Sequence, residues 1–167
     1  RLNMSDLLKE AIADAKAVRE TALANAKKNE ELLEVQRATQ QLQGQLDAEL
    51  QRQIRDDVRK TFEERIAAND ELGRVLEEQT AKEKAVVDER VRIAQLELST
   101  NVTSVELQKK LAEAQLAQLE LKERIAGQTS EQLTNQAALE KELFDAQSEI
   151  QLATMTAREQ ELLALEQ

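Results

Sequence analysis

Few side chains in this sequence could carry out catalysis. Its 167 residues include no His and no Cys, so the usual general base, the thiolate nucleophile and the commonest transition-metal ligands are missing. A serine nucleophile needs an adjacent base and an oxyanion hole, and none of the three glycines belongs to a phosphate- or dinucleotide-binding motif. The sequence therefore predicts a protein that is not an enzyme, with no small-molecule substrate and no cofactor.

Acidic pairs are the remaining candidates for a metal site. Asp56-Asp57 and Glu63-Glu64 offer the carboxylate oxygens that hard cations prefer. Neighbouring residues of a helix point about 100° apart, so neither pair can chelate an ion by itself. We expect solvated charges here and no metal site.

A short basic ridge is the one candidate for nucleic-acid binding. Arg52, Arg55 and Arg59 share a helical face, but Asp56 and Asp57 interrupt it. Aromatic residues, on which bases stack, make up 1% of the chain, and the net charge of −10 repels phosphate backbones. The sequence predicts no nucleic-acid partner and a charge that keeps an assembly soluble or suits a basic partner.

The elements that carry these side chains are predicted to be helices. Pro, Trp and Tyr are absent, whereas Ala, Leu, Glu, Gln, Lys and Arg, the strongest helix formers, dominate. No apolar stretch approaches the roughly 20 residues that span a bilayer, and no secretion signal is recognisable. We predict an all-α protein without direct membrane insertion.

Apolar residues near both ends follow the four-three alternation of a coiled-coil seam. Near the start these residues are Leu8, Ile12, Ala15, Ala22 and Ala26. Near the end they are Leu139, Leu143, Ala146, Ile150, Ala153 and Ala157. Both ends are therefore predicted to form heptad coiled coil.

The middle of the chain has a different period. Its apolar residues are spaced by four, at Leu42, Leu46, Leu50, Ile54, Val58, Phe62 and Ile66. Steps of four advance an apolar row by about 40° each, which is typical of hendecad-like repeats with straight or right-handed packing. We predict one long extended helix that forms a coiled coil with mixed heptad and hendecad repeats. Residues 42–66 are expected to run straight, to drift right-handed or to contact two different neighbours.

Three segments could interrupt this helix. Residues 69–73 contain an asparagine and a glycine, residues 99–105 are a run of poor helix formers, and residues 127–130 begin with a glycine. Because no proline is present and an isolated glycine costs only about 1 kcal/mol in a helix, we expect a single rod over residues 5–167 after an N-terminal extension at 1–4. The alternative is a helical hairpin that turns near 127–130 or 68–73.

Such a rod must associate. A helix of about 160 residues would extend roughly 240 Å, and every exposed leucine or isoleucine forgoes about 1.5–3 kcal/mol of burial. We predict pairing with copies of itself or with another long helix. The expected contact residues are Leu8, Ile12, Ala15, Ala22, Leu42, Leu46, Leu50, Ile54, Val58, Phe62, Ile66, Val91, Leu98, Val105, Leu139, Leu143, Ala146 and Ile150.

The segment from Met4 to Lys27, MSDLLKEAIADAKAVRETALANAK, resembles the start of the prohead-core scaffolding proteins of T-even-type tailed phages. The resemblance implies a helical, acidic, self-assembling protein with Met4 as its initiator. It also implies cleavage after Leu-X-Glu triplets, of which Leu8-Lys9-Glu10 is an example.

Two classes of function are compatible with these features. The first is a structural protein, such as a scaffold, a filament or a component of virion assembly, that acts by self-association in the cytoplasm or within a large assembly. The alternative is the cytoplasmic coiled-coil stalk or tail of a membrane-anchored machine whose anchor lies outside this sequence. Neither function needs a catalytic residue.

Overall fold

The structure, a computed structural model, describes residues 3–166 and folds them into three α-helices: α1 (Met4–Asp56), α2 (Phe62–Thr100) and α3 (Val105–Glu166). No β-strand occurs among these residues. The prediction of an all-α protein is confirmed. The prediction of one uninterrupted helical rod is wrong, because the helix ends at Asp56 and again at Thr100.

The first two helices lie antiparallel. At one end, Lys27 of α1 pairs with Glu97 of α2, with 3.5 Å between nitrogen and oxygen. At the other end, the guanidinium of Arg65 in α2 donates to the main-chain carbonyl of Arg55 in α1 at 2.7 Å. The chain therefore folds back on itself after α1.

The third helix lies antiparallel to α2 as well. Gln118 donates to the Asp88 carboxylate at 2.9 Å, and Arg65 binds Glu142 at 3.1 Å near the start of α2. Helix α2 packs on both α1 and α3, while the described parts of α1 and α3 do not pack directly on each other. The shortest helix is thus the centre of the molecule.

The first turn spans residues 57–61 and has local capping at both sides. The Asp57 amide donates to the Ile54 carbonyl at 3.3 Å, and the Asp57 carboxylate accepts from the Arg59 amide at 3.0 Å. On the other side, the Thr61 hydroxyl accepts from the Glu64 amide at 3.1 Å, which satisfies a free donor of the first turn of α2. The sequence interpretation did not identify this turn.

The second turn, residues 101–104, falls inside the predicted interruption at 99–105. The Asn101 amide donates to the Leu98 carbonyl at 3.0 Å, which ends α2. The Ser104 hydroxyl then accepts from the Leu107 amide at 3.2 Å and caps α3. Poor helix formers with hydroxyl and amide side chains here offer the backbone alternative hydrogen bonds, which favours a turn.

The other two candidate turns are wrong. Residues 69–73 lie within α2, and residues 127–130 lie within α3. A C-terminal glycine cap requires a positive φ, and among the described residues no glycine has one. Asn69 uses its side chain to contact α3 rather than to cap a helix, since its amide nitrogen donates to Gln136 at 3.1 Å.

Because α2 is the shortest helix, α1 and α3 extend past it at opposite ends of the molecule. Every residue of 4–21, the α1 extension, and of 147–166, the α3 extension, is exposed. At 1.5 Å per residue, α2 spans about 58 Å and each extension about 30 Å. The folded chain is therefore about 120 Å long, half the length of the predicted rod.

Candidate association surfaces

The face of α1 that contacts α2 is built from small and polar side chains. Buried and half-buried positions on this inward row recur every three or four residues, at Ala26, Glu30, Leu33, Arg37, Gln40, Gly44, Ala48, Gln51 and Arg55. Gly44 permits a close approach, because a Cβ placed there would overlap with the side chain of Gln79 in α2, whose Cγ and Cδ lie 2.9 Å away. The missing side chain at Gly44 leaves room for the side chain of Gln79, and little apolar area is buried at this position.

The face of α3 that contacts α2 is more apolar. Its inward row keeps a four-three spacing, at Leu107, Leu111, Ala114, Gln118, Leu121, Ile125, Gln128, Gln132, Asn135, Leu139, Leu143 and Ala146. Leu121 and Leu139 are buried. This spacing keeps a continuous row directed at one neighbouring helix.

Both inward rows continue into the extensions, where α2 is no longer beside them. On α1 the same spacing leads from Ala26 back to Ala15, Ile12 and Leu8, and on α3 it leads from Ala146 to Ile150. Ile12 and Ile150 are 57% and 66% exposed. Each extension therefore presents the face that the rest of its helix buries against α2.

A separate apolar row lies on the other side of α1. This outward row consists of Leu32, Val35, Leu42, Leu46 and Leu50, each 52–67% exposed. At about 100° per residue, these positions centre on the face opposite the inward row. Helix α1 thus directs mainly small and polar residues at α2 and leaves the five large apolar side chains of the outward row uncovered.

The predicted four-spaced row is divided between elements. Leu42, Leu46 and Leu50 belong to the outward row, Ile54 is half-buried near the end of α1, and Val58 is exposed in the first turn. The row ends on α2 with Phe62 and Ile66, both half-buried. A continuous winding stripe over residues 42–66 is therefore wrong, because the chain reverses at residues 57–61.

The other expected contact residues have mixed environments. Val91 and Leu139 are buried within the chain, and Val105 is exposed at the start of α3. Leu8 and Ala15 are exposed on the α1 extension. The remaining members, all half-buried, are Ala22, Leu98, Leu143 and Ala146.

Sequence reasoning missed most of the buried core. Its centre is Ala48 of α1 with Leu72 and Val75 of α2. Ala68, Val86, Ala94 and Leu121 are also buried. The three-residue step from Leu72 to Val75 is a sequence signal for this core. The four-spaced row from Leu42 to Ile66 is longer and more regular, and the sequence interpretation followed that row instead.

A buried polar group marks the α2–α3 contact. Asn69 is 1% exposed and donates to Gln136, while its main-chain carbonyl accepts from Gln132. Its side-chain oxygen has no hydrogen-bond partner among the described residues. A buried polar side chain of this kind favours one alignment of two helices over shifted ones.

Ion pairs link the helices at their edges. Arg90 of α2 binds Glu30 at 3.0 Å and Glu34 at 3.3 Å. The pKa of Glu34 is lowered, mainly by a hydrogen bond from Arg37 and further by the charge of Arg90. The pKa of Asp88 is lowered by hydrogen bonds from Lys84 and Gln118.

The described residues contain no cluster of acidic side chains that could hold a metal ion. Among residues 3–166, no helix has an apolar stretch long enough to cross a bilayer. The apolar rows are thus the surfaces of this part of the chain that most need a partner.

No protein-family model, curated protein or solved structure matches the chain.

Proposed function

We propose that this protein is a non-enzymatic scaffolding protein that acts by self-association, through coiled-coil pairing of its exposed apolar rows. Its partner is a further copy of the same chain. The proposal involves no cofactor, small-molecule substrate, nucleic acid or membrane.

The distribution of large apolar side chains carries this proposal. Among residues 3–166, twenty-three large apolar residues are exposed, whereas six leucines and valines are buried. Scattered exposed leucines are normal on a soluble protein, but contiguous apolar rows are typical of interaction sites. A single copy cannot cover these rows, since α2 is already occupied by α1 on one side and α3 on the other.

The positions of the two extensions support an extended assembly. They project from opposite ends of the molecule, so one copy can contact another copy at either end. Contacts between unlike ends give open filaments when the rotation between successive copies does not close a ring. The resemblance of residues 4–27 to phage prohead-core scaffolding proteins agrees with such a role, and the acidic charge of −10 keeps an assembly soluble.

Sedimentation velocity over a concentration series tests the proposal. We expect a mass above the 18.9 kDa of one chain that rises with concentration, because association follows mass action. A matched pair of variants controls for surface hydrophobicity: Ile12→Gln and Ile150→Gln together should weaken association, whereas Val58→Gln in the turn should not. A constant mass of one chain at all concentrations would contradict the proposal.

A further inference from the structure

We infer that the outward row of α1 is a self-pairing surface, on which α1 of a second copy lies antiparallel, with the two-fold axis passing between residues 40 and 41. This inference rests on the proposed self-association and specifies one of its contacts. Three independent features of the row support it: its charge, its symmetry and its rigidity.

The row has the charge pattern that two acidic copies require. Residues 38–46 carry no charge and form the longest uncharged run of a chain that is 34% charged. Any contact between two molecules of net charge −10 is opposed by repulsion, which an uncharged contact minimises, and interface centres are depleted of charged residues.

The spacing of the row fits an antiparallel pair. Val35 and Thr39 lie as far before the proposed axis as Leu46 and Leu42 lie after it. Two copies related by this axis place Val35 of one copy against Leu46 of the second, and Thr39 against Leu42 of the second. The outer members Leu32 and Leu50 face glutamates of the second copy, so the apolar contact is centred on residues 35–46. A two-fold contact needs this self-complementarity, whereas an unrelated partner does not.

The row is also held in place before binding. Over residues 26–55 the opposite face of α1 packs on α2, so the helix that carries the row is already formed. Pairing here therefore costs less ordering entropy than pairing of the extensions, which no other helix supports. This difference makes the outward row the first contact between two copies.

Disulfide trapping tests both the surface and the direction, because the full chain contains no cysteine. We expect a mixture of Val35→Cys and Leu46→Cys chains to form a disulfide-linked dimer under mild oxidation, and neither variant to do so alone. In the antiparallel pair the two Val35 positions are eleven residues apart along the axis, about 16 Å, which is beyond the roughly 7 Å that a disulfide spans between Cα atoms. Dimers from either variant alone would contradict the antiparallel arrangement.

A mass measurement separates this inference from the proposed function. We expect Leu42→Gln with Leu46→Gln to raise the dissociation constant of the dimer at least about tenfold, a difference expected from loss of central interface residues. The matched control on α3, Leu116→Gln with Leu133→Gln, should change it little. If the unaltered chain associates and the α1 variant associates equally well, the α1 pairing is wrong but self-association stands. If the unaltered chain is a monomer at every concentration, both the α1 pairing and the proposed self-association are wrong.

Discussion

Gly44 and Gly127 both lie inside helices, but only Gly44 has a neighbouring side chain where a Cβ would be placed. Gly44 of α1 faces α2, where the side chain of Gln79 occupies the space that a Cβ would need. Gly127 of α3 has no atom within 4 Å of the corresponding position. The same substitution should therefore have opposite effects at the two sites.

Gly127→Ala should raise the free energy of unfolding by about 0.5–1 kcal/mol, because alanine loses less backbone entropy in a helix. Urea unfolding followed by circular dichroism measures this change. A loss of stability would mean that residue 127 needs the conformational freedom of glycine and that α3 turns there.

Gly44→Ala should fail to give this gain and should lower stability, since Gln79 must leave its position on α1. The double variant Gly44→Ala with Gln79→Ala tests this cause, because removing the glutamine side chain frees the space. We expect the double variant to recover the stability lost by the single one. Equal gains from alanine at positions 44 and 127 would show that the helices are not in close contact at Gly44.

Arg65 joins all three helices near the first turn. Its guanidinium binds the Arg55 carbonyl of α1 and Glu142 of α3, and lies 5.6 Å from the ring centre of Phe62. Arg65→Met should cost about 1–3 kcal/mol, the range for a buried hydrogen-bonding group whose partner is left unsatisfied. Glu142→Gln should cost less than about 1 kcal/mol because that carboxylate is largely exposed; equal losses in thermal unfolding would contradict the role given to Arg65.

At the scale of elements, composition was sufficient to predict helices. It was not sufficient to place the first turn, which lies within a regular apolar row. Leu42 to Ile66 keep a four-residue spacing through the turn, so the row looks continuous although Val58 belongs to no helix. The local signal was Thr61 three residues before Glu64, a helix-start pattern, which competed with a regular apolar row. The end of α1 and the start of α2 are therefore set by capping residues such as Thr61 and not by the spacing of the apolar row.

Some residues of the candidate surfaces were predictable from the sequence, but the direction in which they face was not. The sequence identified Leu42, Leu46 and Leu50 as contact residues, and their exposure leaves them available, but it could not say which face of α1 meets α2. Burial by hydrophobicity alone would direct these leucines inward. In the fold Gly44 and Ala48 face α2 instead, and Gly44 leaves room there for the side chain of Gln79.

The hydrogen bonds and ion pairs of Glu34 and Asp88, which lie within the helices as well as between them, should weaken in acid. The pKa values of Glu34 and Asp88 are lowered in the fold from ordinary values of 4.5 and 3.8. Carboxylates of this kind stabilise the folded state above their unfolded pKa, and the contribution is lost as the pH falls through the folded pKa. We expect stability to decline below about pH 4.5, and Glu34→Gln and Asp88→Asn together to reduce that decline; an unchanged pH profile in the double variant would contradict this assignment.

The whole molecule is a folded-back set of helices whose two ends remain unpaired. α2 is covered on two sides, while the α1 extension, the α3 extension and the outward row of α1 face solvent. Under the proposed self-association, these three exposed regions are the places where copies of the chain would meet. Intermolecular contacts should determine what this protein builds.

Small-angle X-ray scattering with absolute intensity, over a concentration series, tests this account most directly. At the lowest concentration we predict a maximum dimension of about 120 Å, set by α2 and the two extensions, and a mass that rises above 18.9 kDa as concentration increases. A single-chain mass at every concentration, or a rod of about 240 Å, would contradict it.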